Sequence, residues 1–102
     1  MTARPPKKQA ADLVLRLYVA GNSPNSALAK AHLRAALACV PAETVSLEII
    51  DVLVDTARAI RDGVLVTPTL IKLSPEPQQR MIGSLRNISV LADLAIGVLA
   101  HD

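Results

Sequence analysis

Residues 13–26 read LVLRLYVAGNSPNS, and the alternation there sets the frame for the whole chain. On an extended strand Leu13, Leu15, Leu17 and Val19 fall on one face and Val14, Arg16, Tyr18 and Ala20 on the other. Both faces are largely apolar, as in a strand covered on both sides, so the pattern predicts a central strand. It breaks at Gly21. The string NSPNS then supplies Asn or Ser as a helix N-cap, with Pro24 in the first turn where its missing N–H costs nothing. A helix is predicted from there to about Cys39. Ala29, Leu33, Ala36, Leu37 and Val40 make its apolar stripe, Lys30 and Arg34 point elsewhere, and Pro41 stops it.

Residues 45–52 (VSLEIIDV) place Val45, Leu47 and Ile49 on one face and predict a second strand. Joined to the first through a helix, it completes a βαβ unit with parallel strands and a right-handed crossover. Asp55 is a fitting cap for a short helix through Ile60, and Gly63 is placed to end it. A third strand is predicted over 69–73 after Pro68, a turn at SPEPQ, and a short fourth strand over 80–83, together an antiparallel hairpin. After Asn87, an N-cap, a final helix sets Ile88, Leu91, Ala92, Ala95, Val98 and Leu99 on one face. Val90, Leu94 and Ile96 lie on other faces, a surplus that a subunit interface could use.

With 102 residues, half of them apolar, the chain is sized for one domain. Residues 1–11 carry Pro5, Pro6 and three basic residues without an apolar period, and are expected to be a flexible basic tail before a single domain at 12–102. No apolar run approaches the roughly 20 residues that span a bilayer, so a cytoplasmic location is expected. The 11 Lys+Arg nearly balance 9 Asp+Glu, and Tyr18 is the one aromatic residue, so stacking platforms for nucleic acid are missing.

The order β-α-β-(α)-β-β-α is the thioredoxin-like layout. Thioredoxins carry a C-x-P-C box between the first strand and its helix, where the helix N-terminus depresses a thiol pKa. Here the same place reads Asn22-Ser23-Pro24-Asn25. An asparagine amide caps and hydrogen-bonds but offers no thiolate, and Ser23 has no base beside it in sequence. The lone Cys39 excludes an internal disulfide and reads as a small half-buried residue. His32 lies two turns away from it, too far for a direct pair, and His101 has no companion, so no metal or other cofactor is expected. Thr67-Pro68-Thr69 resembles the thioredoxin-like loop whose proline is cis; a trans proline at a strand start reads equally well. Glu48, Asp51, Asp55 and Asp62 read as a solvated edge and helix caps. Arg58, Arg61, Lys72, Arg80 and Arg86 crowd the second half, where they could face an acidic partner or simply solvent.

Four ordered blocks resemble the KaiB circadian-clock family: LRLYVAGNSPNS (15–26), IDVL (50–53), VLVTPTLIKLSPEP (64–77) and RMIGSLRN (80–87). The resemblance implies a non-enzymatic regulator that binds the hexameric ATPase KaiC and times its phosphorylation cycle. It also implies two arrangements of one α/β chain: a thioredoxin-like βαβαββα monomer that captures the ATPase, and a βαββααβ homotetramer at rest. Gly21, Asn22, Pro24 and Asn25 belong to the half common to both, and Pro68, Pro75 and Pro77 to the half that rearranges. X–Pro isomerisation takes tens to hundreds of seconds, slow enough to delay such a response. Lys72 and Arg80 match basic positions of the family and are the candidate partner-binding residues. The first helix carries Ala27-Leu28-Ala29-Lys30 where cyanobacterial relatives are basic, so the resemblance does not extend to binding KaiA. The rival readings are a KaiB-like adaptor in stress or two-component signalling, working with a histidine kinase that has a KaiB-like sensor domain, and a thioredoxin-like oxidoreductase using Cys39.

Overall fold

In the computed structural model, residues 12–38 and 40–84 are described. The basic tail, Cys39, Arg86, Asn87 and the predicted final helix lie outside them. The elements are β1 (Leu13–Val19), α1 (Pro24–Leu37), β2 (Val45–Asp51), α2 (Thr56–Arg61), β3 (Thr69–Ser74) and β4 (Gln79–Ile82), with a 3-10 turn at Ala42–Thr44. The sheet runs β2-β1-β3-β4. β1 pairs in parallel with β2 (Leu17 opposite Ile49) and antiparallel with β3 (Leu17 opposite Leu70), and β3 and β4 form the hairpin. Of the two arrangements that the family resemblance implies, the described residues have the thioredoxin-like one.

The central position of β1 follows from its two apolar faces. Leu13, Leu15, Leu17 and Val19 are buried with Ala29 and Leu33 of α1, Val40 and Leu70. On the opposite face Tyr18 packs with Ile50, Ala59 and Ile71. β2 is an edge strand, and Ile49 shows the consequence: it follows the alternation of Val45 and Leu47 but is exposed.

Ser23 caps α1, its Oγ accepting from Ser26 N, and Pro24 opens the helix. Ser26, fully buried, accepts from Ala20 N at 3.1 Å and thereby fastens the helix start to the end of β1. The helix closes at Leu37, two residues before the expected end. Val40 N–H turns back to Leu37 O at 3.0 Å, because the residue preceding Pro41 is disfavoured in the helical region. Asp55 caps α2 through Arg58 N, and Gly63 follows it with φ +69. The Thr67–Pro68, Ser74–Pro75 and Glu76–Pro77 bonds are cis.

Candidate partner-binding surface

The carboxyl ends of β1 and β2 and the start of β3 meet at one end of the sheet, the usual place for ligands in open α/β sheets. Gly21 turns the chain there at φ +53, where any Cβ is strained and would also sit 3.4 Å from Leu53 Cδ1. Asp51 joins the two turns. Its Oδ1 accepts from Gly21 N at 3.1 Å and from Leu53 N at 2.9 Å, so the end of β2 holds both the β1–α1 and the β2–α2 connections. Asn22 and Asn25 stand at the β1–α1 junction at the surface, on either side of Ser23 and Pro24. Pro68 is buried behind this end.

Between α2 and the segment 64–67 opens a cleft of about 430 Å³. Its lining is aliphatic apart from Thr56 and Thr67, and Thr56 Oγ1 is already spent on Val52 O at 2.7 Å. The walls are unusually exposed for such side chains: Leu53 is 72% exposed, Ile60 73% and Leu65 93%. Val66, also exposed, lines the cleft with them, and Val54 extends the apolar surface. Aliphatic side chains gathered at a rim like this make a candidate contact surface, and they can contribute burial and shape rather than bond-making chemistry.

Behind α2, on the sheet side, lies a polar cluster. Arg16 Nη1 donates to Asp62 Oδ2 at 2.9 Å, and the Tyr18 hydroxyl donates to the same oxygen while lying 3.3 Å from Arg58 O. Arg58 binds both oxygens of Glu48 on β2. The hydrogen bond from Tyr18, with that from Arg16 behind it, holds the Asp62 carboxyl below the usual range against the opposing effect of burial. Arg58 does the same for Glu48, and Glu48 in turn raises the Arg58 guanidinium. Burial first, then Asp62, pushes the Tyr18 phenol up.

These directions fix the pH response. Carboxyls with depressed folded-state pKa values contribute stability above their unfolded values, near 3.9 for Asp and 4.3 for Glu, and lose it as pH falls through the folded ones. The raised phenol contributes fully below its unfolded value near 10 and loses its contribution as pH rises through the folded one. The urea midpoint is therefore expected to drop below about pH 4 and again above about pH 10, and Asp62→Asn should flatten the acid limb.

Arg80 on β4 is exposed, and its guanidinium donates to Gly63 O at 3.3 Å and to Asp62 O. Lys72 on β3 pairs with Gln79 and is only 6% exposed. By strand alternation it shares the Leu70 side of the sheet, opposite the cleft, so the structure does not bring the two cations together. Pro75 and Pro77 stand in the β3–β4 turn. The cleft escaped sequence reasoning although a signal existed. Two VLV triplets, at 52–54 and 64–66, lie outside any strand, where polar residues would be expected.

No helix among the described residues is long and apolar enough to cross a membrane. The family model for the KaiB domain matches residues 16–94. The circadian clock oscillator protein KaiB of a Prochlorococcus marinus strain is 46% identical over 72 residues, covering 71% of this chain and 62% of that protein. The chain thus spans less than two thirds of that relative's length. Among solved structures, the N-terminal domain of Synechococcus elongatus SasA superposes with a TM-score of 0.69 at 26% identity, over 100% of this chain and 96% of that one. A single-residue mutant of a thioredoxin from Halobacterium salinarum gives 0.71 at 21% identity over 91% and 80%, a likeness of fold.

Proposed function

The chain belongs to the KaiB family, and from that premise we propose that it is a non-enzymatic clock component that reversibly binds a KaiC-type hexameric ATPase and adjusts its phosphorylation cycle. The observation that carries this reading is the family match through every segment that builds the cleft end of the sheet, from the β1–α1 turn to the 64–68 loop. The exposed aliphatic walls support a docking role, and Arg61 and Arg80 near them would favour an acidic partner surface. In this proposal the cleft and Arg80 contact the ATPase. Lys72 contributes from the other side of the sheet only where a partner reaches it. Asn22 and Asn25, standing where thioredoxins have cysteines, support binding over thiol chemistry.

The proposal extends to the family's second arrangement. The thioredoxin-like form seen here is the binding-competent one. A βαββααβ homotetramer is its resting counterpart, with Pro68, Pro75 and Pro77 in the half that exchanges. If the competent form is a minor population, apparent affinity falls by that fraction. The test is incubation with the KaiC-type hexamer from the same source for several hours, followed by size exclusion. A co-eluting complex is expected, and its absence at every incubation time would refute the assignment.

The likeness to the SasA domain over the whole chain favours one second reading, an adaptor in stress or two-component signalling. A stable complex with a histidine kinase from the same source, and none with the ATPase, would decide for it.

A further inference from the structure

α2 forms one wall of the cleft, yet very little of it is anchored by apolar contact. It has six residues, well under the length at which an isolated helix holds in water, and Ala59 is its one buried residue. Ile60 faces outward. The attachments that hold this helix are polar, and they come from three strands: Arg16 and Tyr18 on β1, Glu48 on β2 and Arg80 on β4. Three of them converge on Asp62, Arg16 and Tyr18 through its carboxylate and Arg80 through its carbonyl.

Asp62 is itself out of place by local rules. A carboxylate at a helix C-terminus meets the negative end of the helix dipole, where a cation would be preferred. Its position makes sense through its partners across the sheet. The Tyr18 ring is fully buried, and its hydroxyl reaches this end of the sheet only through α2 and its cap, at Asp62 Oδ2 and, at 3.3 Å, at Arg58 O; the Asp62 side chain is 20% exposed, leaving its charge dependent on Tyr18 and Arg16. Loss of either partner leaves a half-buried polar group unsatisfied, a cost that freeing α2 from the sheet relieves.

We propose that Asp62, with Tyr18 and Arg16, is a latch that fixes α2 on the sheet and so sets how well formed the cleft is, making these three positioning residues for the partner. The regulation rests on the cleft being the docking surface; the latch does not. Asp62 and Tyr18 touch the inner side of α2, whereas the cleft is lined by other residues, among them Leu53, Ile60 and Leu65. Partner affinity is therefore altered through the docking of α2 rather than through lost contact.

The experiment measures amide hydrogen exchange by segment in the full chain, in parent, Tyr18→Phe, Asp62→Asn and Asp62→Ala, and then the affinity of each for the KaiC-type hexamer. Exchange over residues 56–64 is expected to quicken about tenfold or more in Asp62→Ala and less in Asp62→Asn, which keeps an acceptor, while β1 and β3 stay at parental rates. Tyr18→Phe and Asp62→Ala combined should add little to Asp62→Ala alone. Parental exchange at 56–64, or acceleration spread evenly over the sheet, overturns the latch. Local acceleration with parental affinity overturns its control of the cleft. A parent that does not bind the hexamer at all counts against the proposed function, and the exchange pattern still decides the latch.

Discussion

Leu17→Ala is expected to lower the free energy of unfolding by about 2–5 kcal/mol, a large share of the roughly 5–15 kcal/mol that a domain of this size commands. Leu17 is completely buried at the middle of β1, between Ile49 on β2 and Leu70 on β3, and its side chain belongs to the cluster under α1. The cost combines lost transfer energy with a cavity that strands paired on both sides cannot close. Denaturant titration should show the midpoint falling with an unchanged slope. Leu65→Ala is the internal control. At 93% exposure that side chain contributes little to the fold, and its removal should stay within about 0.5 kcal/mol. A Leu65→Ala loss as large as that of Leu17→Ala would mean that the cleft wall is part of the core.

The contrast between these two leucines also separates what the sequence discloses from what it does not. β1 and α1 are legible because each is specified locally, the strand by apolar residues on both faces and the helix by Ser23 and Pro24 at its start. The parallel pairing with β2 follows from the helix between them, and Asp55 and Gly63 bracket α2 as their chemistry suggests. The alternation in 45–52 reads correctly as a strand, but its place at the sheet edge, and hence the exposure of Ile49, is decided by which strand β3 joins.

The cleft is not legible in that way, because three separate segments form it and only the fold brings 52–53, 56–60 and 64–67 together. Asp62 and Glu48, read from sequence as caps and solvated charge, are the anchors of the polar cluster, since Tyr18 and Arg16 reach Asp62 from 44 and 46 residues away. Lys72 reads as a surface cation, yet an interior position in β3 takes its stem into the sheet.

The cleft carries the second large prediction. Leu53 and Leu65 are exposed, so Leu53→Asp with Leu65→Asp should leave the denaturant midpoint where it is. In a complex the same carboxylates would be taken out of water against an apolar contact, a cost expected to exceed about 2 kcal/mol, roughly thirtyfold in affinity. The decisive measurement is an equilibrium titration of the labelled chain, parent and double variant, with the KaiC-type hexamer from the same source after several hours of incubation. Saturable binding by the parent, weakened thirtyfold or more in an equally stable variant, is the predicted result. No binding by the parent, or equal binding by both, would contradict it.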